Sequence, residues 1–397
     1  MRNPFNYGRE IGATQLVDRK PELALVERTI RDGNKLFLIG PRRFGKTSIL
    51  KAAQDRLQAK GAIVLRFDAT ASPTLELLVA RIVSHAAKAL NGEAKWVGEQ
   101  LANFFSMVRP DVRFNPADGE WNVHFGVNRE KRDNPMFLID ALDGLEKLAN
   151  TQPANRPVGL IIDEFQRVIE LGGDTIEYQI RASIQQHSRV GYVFAGSKTR
   201  MLRDMVTNHA RPFYRLGDTM YIGPIPRNDF APFLKGKFAE AGHIATDPVA
   251  ARILDLAHDV PYNVQALASH CWYRLMDQDS DQDTAQDTPG HSPFTPEFVD
   301  ETLDLVVRQQ DPSYAGIWTQ LTTIQQRTLM CVVAKNGKGL TSASVVRDLG
   351  HGASTIRQAL NSMVNSGILR EDKTQRQIQY LLEDPFFHHW VRITTMQ

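Results

Sequence analysis

A stretch near the amino end, residues 40–48, constrains the fold more than any other part of the chain. It fits the spacing G-x-x-x-x-G-K-[ST], which is typical of the phosphate-binding loop of nucleoside triphosphatases. An apolar run suited to a buried strand precedes it at residues 35–39, and apolar residues at helical spacing follow it at residues 48–57. The motif therefore stands in the strand, loop and helix context that it requires. Its residues are Gly40, Pro41, Arg42, Arg43, Phe44, Gly45, Lys46, Thr47 and Ser48.

The residue types of this loop predict how it binds a nucleotide. Gly40 and Gly45 let the backbone curl so that its N–H groups point at phosphate oxygens. The helix that follows adds the positive end of its dipole. We expect Lys46 to reach the β- and γ-phosphates of a nucleotide and the hydroxyl of Thr47 to bind Mg²⁺.

A second stretch, residues 158–164, carries two adjacent carboxylates. An apolar run ends at Ile162 and leads into Asp163 and Glu164. A buried parallel strand delivers such residues at its carboxyl end, beside the phosphate loop. There Asp163 could bind Mg²⁺, directly or through water, and Glu164 could polarise a water against the γ-phosphate. The alternative is a strand that simply ends in solvated acids.

Further strands are predicted at residues 62–67 and 190–197, and a fifth strand is predicted to end within residues 221–225. The strand at residues 190–197, the fourth predicted strand in the chain, ends in Ser197. Two roles are open for this residue. Its hydroxyl could sense the γ-phosphate or the attacking water, or it could cap the helix predicted at residues 198–206.

Composition bounds the class of protein. The length of 397 residues favours two or three domains. A net charge of +2 gives no global argument for a nucleic-acid partner, and two cysteines make no disulfide framework. The amino end lacks the pattern of a signal peptide, and no apolar run approaches the ~20 residues of a membrane helix. We therefore expect a cytoplasmic protein with no membrane partner.

The domain organisation follows from changes in sequence texture. We predict a core at residues 1–225, with a hairpin inserted near residues 109–126, and a helical lid at residues 226–276. An acidic linker is predicted at residues 277–294. Residues 295–397 are expected to form a linker helix and a winged helix-turn-helix. Residues 315–397 carry nine Lys and Arg against five Asp and Glu, a balance of +4 that suits DNA phosphates weakly.

These motifs together resemble the archaeal-type ATPases, a branch of the AAA+/STAND P-loop ATPases, over nearly the whole chain. The specific parts are the phosphate loop with its double arginine, and residues 18–23, 161–166, 196–197 and 380–387. The resemblance implies an α/β fold with a P-loop NTPase parallel sheet of ASCE order, a helical lid and a C-terminal winged helix. By position, Arg215 resembles the arginine finger of AAA+ proteins. Arg19 lies in the segment that borders the base, and Pro261 stands on the lid where it could touch the adenine side.

Two functions remain open, and a third is disfavoured. The first is an ATP- and Mg²⁺-dependent molecular switch that hydrolyses ATP and couples its nucleotide state to an unidentified protein partner. The second is an ATP-dependent DNA-binding protein that acts through its winged helix. A small-molecule kinase shares the phosphate loop, but a water-activating glutamate beside the metal-binding acid favours hydrolysis. If Arg215 acts in a neighbouring subunit, the protein is also a homo-oligomer.

Overall fold

The computed structural model describes residues 2–10, 12, 16–90, 94–105, 110–115, 120–125, 135–173, 175–282, 294–372 and 377–396. By its internal contacts the chain divides into two compact units. We call Glu10–Pro41 with Gly45–Gly223 the core unit. We call Met1–Arg9, Arg42–Phe44 and Pro224–Gln397 the C-terminal unit. The segment Arg42–Phe44, inside the phosphate-loop motif, thus groups with the C-terminal unit.

The core unit alternates strands and helices, as its sequence pattern predicts. Its elements are α1 (Lys20–Arg31), β1 (Lys35–Ile39), α2 (Lys46–Ala59), β2 (Ile63–Asp68), α3 (Leu75–Leu90), α4 (Ala94–Phe104), β3 (Pro110–Asn115), β4 (Glu120–Phe125), α5 (Pro135–Thr151), β5 (Val158–Asp163), α6 (Gln166–Gly172), α7 (Ile176–Ile184), β6 (Val190–Gly196), α8 (Thr199–Thr207) and β7 (Asp218–Tyr221).

The main sheet of the core unit has five parallel strands in the order β2-β5-β6-β1-β7. Strand β6 lies between β1, which leads into the phosphate loop, and β5, which carries the two acids. Every residue of β5 and β6 is buried, as expected for strands covered by helices on both faces. This order confirms the expected P-loop NTPase sheet of ASCE type, and it brings the carboxyl ends of β1, β5 and β6 to one edge.

Two glycines set how closely α1 packs on this sheet. A Cβ at Gly191 would collide with the backbone of Ile30, and a Cβ at Gly159 would collide with the Ile30 side chain. Ile30 itself is fully buried. Because only a residue without a side chain leaves room there, these positions fix the contact between α1 and strands β5 and β6.

The predicted hairpin forms a separate two-stranded antiparallel sheet, β3 with β4, in which Arg113 pairs with Asn122. It follows α3 and α4 in the chain. The exposed ring of Phe114 lies against Trp121 across the hairpin, with ring centroids 5.2 Å apart. The predicted turn at residues 116–119 lies outside the described residues.

The C-terminal unit is helical except for one small antiparallel sheet. Its elements are α9 (Arg227–Ala239), α10 (Asp247–Leu256), α11 (Pro261–Gln282), α12 (Pro296–Gln309), α13 (Asp311–Thr319), α14 (Thr323–Ala334), α15 (Ala343–Leu349), α16 (Ala353–Asn365), β8 (Leu369–Asp372), β9 (Gln379–Leu382) and α17 (Pro385–Thr395).

The tail has the order that the winged helix-turn-helix pattern predicts: α14, α15, α16 and the antiparallel pair β8 and β9. We call residues 323–382 the winged-helix segment. Gly350 ends α15 in the left-handed conformation at φ 67°, where glycine has no steric cost. The apolar face of α16 is buried at Ile356, Leu360 and Met363. Most of the predicted wing tip, residues 373–376, lies outside the described residues.

One boundary differs from the sequence expectation, and one stretch falls outside the description. The fifth strand ends at Tyr221, within the predicted residues 221–225. Helix α11 continues to Gln282, into the stretch assigned to the acidic linker. The rest of that stretch, residues 283–293, is not described. None of the described helices is long and apolar enough to cross a membrane.

Candidate nucleotide site

The phosphate loop begins where β1 ends, and two of its glycines are sterically required. The N–H of Gly40 donates to the carbonyl of Gly196, 3.3 Å away. A Cβ on Gly40 would stand 2.8 Å from the Cβ of Ile222, closer than side chains pack. Gly45 has φ 87° and directly precedes α2, so the turn into the helix needs a residue that tolerates a positive φ.

Lys46 is the first residue of α2 and is almost fully buried, at 5% exposure. Its ammonium Nζ donates to the carbonyl oxygen of Pro41, 2.9 Å away, at the opposite side of the loop. The charge therefore lies inside the ring of backbone that the motif forms. That is the position from which an ammonium group can reach phosphate oxygens bound by the loop.

Thr47 and Asp163, the two residues predicted to bind Mg²⁺, lie together. The Thr47 hydroxyl donates to Asp163 Oδ2 at 2.7 Å, although the residues are 116 positions apart in the chain. Asp163 is 3% exposed, and this burial raises the pKa of its carboxyl, opposed by the hydrogen bond from Thr47 and the charge of Lys46. A buried carboxylate whose charge is disfavoured gains from a cation beside it.

The donor set fits a magnesium ion that a nucleotide brings with it. Mg²⁺ prefers oxygen ligands and is commonly bound by one or two protein groups together with substrate phosphates. Thr47 and Asp163 supply one hydroxyl and one carboxylate. Among the described residues there is no group of three or more His, Cys, Asp or Glu that could form an all-protein metal site. The residues present therefore suit an ion shared with a phosphate ligand.

Glu164 follows Asp163 in a strained backbone conformation, at φ 52°. Its N–H donates to Asp163 Oδ1 at 2.9 Å. Its carboxylate Oε2 accepts from both the N–H and the hydroxyl of Ser197, at 3.2 Å and 2.8 Å, and from the side-chain amide of Gln166. Non-glycine residues with positive φ cost energy, so they persist only where surrounding contacts hold them. Here β5, β6 and α6 together fix the direction of one carboxylate.

These contacts also bear on the two roles that were open for Ser197. Helix α8 begins at Thr199 after Lys198, and no side-chain hydrogen bond caps it. The Ser197 hydroxyl instead donates to Glu164. Sequence reasoning did not single out Gln166, which is 5% exposed and holds the same carboxylate. Its side chain stands where a Cβ on Gly196 would collide with it, so the glycine that closes β6 makes this contact possible.

Arg19 and Arg215 both belong to the core unit. Arg19 is 6% exposed, pairs with Glu22 at 2.9 Å and donates to the carbonyl of Gly223 at 2.6 Å. Arg215 is exposed and has φ 55°. Its guanidinium lies 5.2 Å from the ring centroid of its neighbour Tyr214, and no ion pair joins it to a described acidic residue. No hydrogen bond or ion pair joins Arg215 to Lys46, Thr47, Asp163 or Glu164.

Ser48 lies in α2 of the core unit, whereas four other residues of the predicted site belong to the C-terminal unit. Pro261 begins α11 there. Arg42 and Arg43 are exposed, while Phe44 is buried at 3% exposure. The backbone N–H of Tyr262 donates to the carbonyl of Arg43 at 3.3 Å. We call residues 42–44 the tip of the phosphate loop. The tip is thus held by groups that the motif itself does not contain.

Comparisons with known proteins add the fold but no sequence family. No protein-family model and no curated protein matches the chain. The Walker-type ATPase of Pyrococcus abyssi matches with a TM-score of 0.63 at 15% identity, covering 98% of this chain and 99% of that chain. The ADP form of the ORC2 protein of Aeropyrum pernix gives 0.49 at 13% identity, covering 98% and 94%. The RuvB Holliday junction branch migration motor of Thermotoga maritima gives 0.44 at 11%, covering 96% and 97%.

The fold assignment rests on the first of these structures and on the strand order of the core unit. Both the parallel sheet and the C-terminal helical unit fall within the nearly complete coverage of the Pyrococcus protein. The chain shares the α/β P-loop NTPase fold of the Walker-type ATPase of Pyrococcus abyssi.

Proposed function

We propose that this protein is an ATP-binding, ATP-hydrolysing molecular switch that couples its nucleotide state to a protein partner. The observation that carries the proposal is the meeting of three groups at one edge of the sheet. The ammonium of Lys46 is enclosed by the loop, the Thr47 hydroxyl bonds the Asp163 carboxylate, and Glu164 is oriented by Ser197. This combination serves phosphate binding, a divalent cation and a general base respectively.

Each of these residues has a defined task in hydrolysis. The loop N–H groups and Lys46 bind and orient the phosphates, and Thr47 and Asp163 would hold Mg²⁺. When bound, Mg²⁺ neutralises charge on the β- and γ-phosphate oxygens. Glu164 accepts a proton from the water that attacks the γ-phosphorus, so the bond to the β-γ bridging oxygen breaks and ADP and phosphate leave. Ser197 keeps the carboxylate of Glu164 directed while this happens.

The proposal is tested by separating binding from turnover. Lys46→Ala should abolish tight binding of MgATP, because it removes the ammonium group aimed at the phosphates. Glu164→Gln should keep binding and lower turnover by about 10²–10⁴-fold, the usual effect of losing a general base. Glu170→Gln is the matched control, since this glutamate of α6 pairs with Lys198 rather than facing Asp163. Calorimetry measures the binding, and phosphate release measures the turnover.

Two results would contradict the proposal in different ways. If Lys46→Ala binds MgATP as tightly as the unmodified protein, the loop is not the nucleotide site. If Glu164→Gln hydrolyses ATP at the rate of the Glu170→Gln control, Glu164 is not the base.

A second function is supported by one feature of the winged-helix segment. The outer face of α16 exposes Ser354, Thr355, Arg357 and Gln358, the kind of side chains that read base edges from a recognition helix. On this proposal the protein binds DNA in an ATP-dependent way. We favour the switch over DNA binding because residues 315–397 carry a net charge of only +4 and α16 carries one arginine.

Arg357→Ala separates the two functions. If α16 enters the major groove, this change should weaken DNA binding about tenfold and make binding less dependent on salt. Arg308→Ala is the control, because Arg308 is an exposed arginine of the same unit that ends α12. Fluorescence anisotropy with a DNA duplex at low and at moderate salt measures the affinity of each variant and its salt dependence. Absence of salt-sensitive binding by the unmodified protein at low salt would exclude the DNA function.

A further inference from the structure

The tip of the phosphate loop is held in a conformation that its own residues do not favour. Arg43 has φ 68°, in the left-handed region that costs a residue with a Cβ free energy unless other contacts hold it. It lies between the two glycines of the motif, three positions before Lys46. Something outside the motif must therefore stabilise the tip.

The contacts that hold Arg43 come from the C-terminal unit. Its guanidinium Nη1 pairs with Asp384 Oδ2 at 2.8 Å and lies 5.0 Å from the centroid of the Tyr262 ring. Its carbonyl accepts the N–H of Tyr262. Burial alone would lower the pKa of Arg43, but the charge and hydrogen bond of Asp384 outweigh it and raise that pKa. Both the side chain and the backbone of Arg43 are thus held.

Asp384 is itself fixed by two helices. Its other oxygen, Oδ1, accepts the N–H of Phe386 at 2.9 Å, which caps the start of α17, and the side-chain amide of Asn263 in α11 at 3.0 Å. The carboxylate therefore presents Oδ2 to Arg43 from a fixed position. A partner that is already ordered loses less conformational entropy when it holds a loop.

Phe44 gives the tip a second anchor. Its side chain is buried at 3% exposure, and the guanidinium of Arg370 on β8 lies 5.2 Å from its ring centroid. From Phe44 the chain continues through Gly45 into Lys46. The residues that precede the phosphate-binding lysine are therefore tied to α11, α17 and the winged-helix segment.

From these contacts we propose that Asp384 is a positioning residue for the phosphate loop, acting through Arg43, and that through this pair the C-terminal unit senses bound nucleotide. The proposal rests on the nucleotide-dependent function proposed above. If Asp384 orders the tip in advance, nucleotide binding does not have to order it. By linkage, nucleotide bound to the loop must then stabilise the contact of Asp384 by the same factor.

Asp384→Asn tests this with little other damage. Asparagine caps helices as well as aspartate does, and its Oδ1 can keep the bonds to Phe386 and Asn263. Its amide replaces the oxygen that faces Arg43, so the charge pair is lost. Asp300→Asn is the matched control, because Asp300 pairs with Arg252 at 2.6 Å in the same unit and does not contact the loop.

We expect four results. Asp384→Asn should weaken MgATP binding about tenfold by calorimetry, raise KM and leave kcat unchanged, while Asp300→Asn stays within about twofold. The double variant Arg43→Gln with Asp384→Asn should bind MgATP no more weakly than Arg43→Gln alone. The first change already removes the ion pair that the second change would disrupt. Hydrogen exchange at residues 42–45 should be faster in nucleotide-free Asp384→Asn. MgATP should slow exchange at Phe386 in the unmodified protein but not in Asp384→Asn.

The outcomes distinguish this proposal from the proposed function. Unchanged MgATP affinity in Asp384→Asn overturns the positioning role, even if exchange at the tip becomes faster, and leaves the ATPase proposal standing. Additive losses in the double variant overturn action through Arg43. If the unmodified protein does not bind MgATP, the proposed function fails and the positioning role fails with it.

Discussion

Ser197 determines the direction of the carboxylate of Glu164, and its hydroxyl can be removed selectively. Ser197→Ala deletes one of the two hydrogen bonds that Ser197 donates to Oε2 of Glu164. A base that is less well oriented accepts a proton less often in the attacking geometry. We therefore expect turnover to fall about tenfold while the affinity for MgATP stays the same.

A conservative variant distinguishes the hydroxyl from the volume of the side chain. Ser197→Thr keeps the hydroxyl and should retain most of the activity, as measured by steady-state phosphate release and by calorimetry. Equal kcat in Ser197→Ala and the unmodified protein would show that the hydroxyl has no part in hydrolysis.

At the residue scale, the sequence predicts what depends on local spacing. The phosphate loop and the pair Asp163 and Glu164 could be found because each motif is continuous and flanked by a strand. The hydrogen bond from Ser197 to Glu164 joins residues 33 positions apart, and the bond from Asn263 to Asp384 joins residues 121 positions apart. Such contacts depend on how elements pack, which a periodic pattern does not report.

At the element scale, helix and strand positions follow from periodicity, and the boundaries depend on specific caps. Gly350 ends α15 in the left-handed conformation. Thr295 caps α12 through a hydrogen bond from the N–H of Phe298. Helix α11 is longer than predicted because its polar continuation has no residue that stops a helix before Gln282. Composition alone therefore does not report where this helix ends.

Two histidines pack against each other where α17 meets the end of α10. The rings of His258 and His388 lie 4.8 Å apart, centroid to centroid. Burial, together with the neighbouring His258, Arg392 and His389, lowers the pKa of His388 to about 4. Burial also lowers the pKa of His258. The fold therefore favours the neutral form of this pair.

This pair predicts a loss of stability in mild acid. The pKa of His388 is depressed in the folded state, so below about pH 6.5 the unfolded chain binds a proton that the folded chain does not. Its contribution is complete above pH 6.5 and is lost as the pH falls towards 4. At pH 5 we expect the free energy of unfolding to be lower by about 2 kcal/mol than at neutral pH from this group alone.

Thermal unfolding of the full chain at pH 7 and pH 5 measures the effect. His388→Gln should reduce the difference between the two pH values, whereas His351→Gln, at an exposed histidine of the same unit, should not. An equal acid sensitivity in both variants would assign the loss of stability to other groups.

At the scale of the whole molecule, the question is whether one chain holds a complete site. Hydrolysis of a nucleoside triphosphate needs positive charge near the transition state beyond the loop lysine and the metal ion. Arg211, one candidate, is already paired with Glu177 and Asp204. Arg43 is paired with Asp384. Arg215 and Arg42 are exposed, and no ion pair joins either to a described acidic residue.

Arg215 is the better candidate for a group that acts on a neighbouring copy. It lies directly before β7, an edge strand of the sheet, in a strained conformation at φ 55°. Asp218, an acid that could have neutralised it, does not pair with it. An exposed arginine held in a strained backbone at the edge of the core is suited to contact another subunit.

If Arg215 completes the site of a second copy, the protein must self-associate to hydrolyse ATP, and the isolated chain must be a poor enzyme. An arginine finger contributes about 10³–10⁵ to the rate, so turnover per subunit should rise steeply with protein concentration. Arg215→Ala should abolish that rise and leave MgATP binding intact, whereas Arg31→Ala, at an exposed arginine that ends α1, should keep it. If Arg42→Ala abolishes the rise instead, the role belongs to the loop. Turnover per subunit that stays flat from dilute to concentrated protein would exclude both, because a group supplied by a second chain cannot act without it.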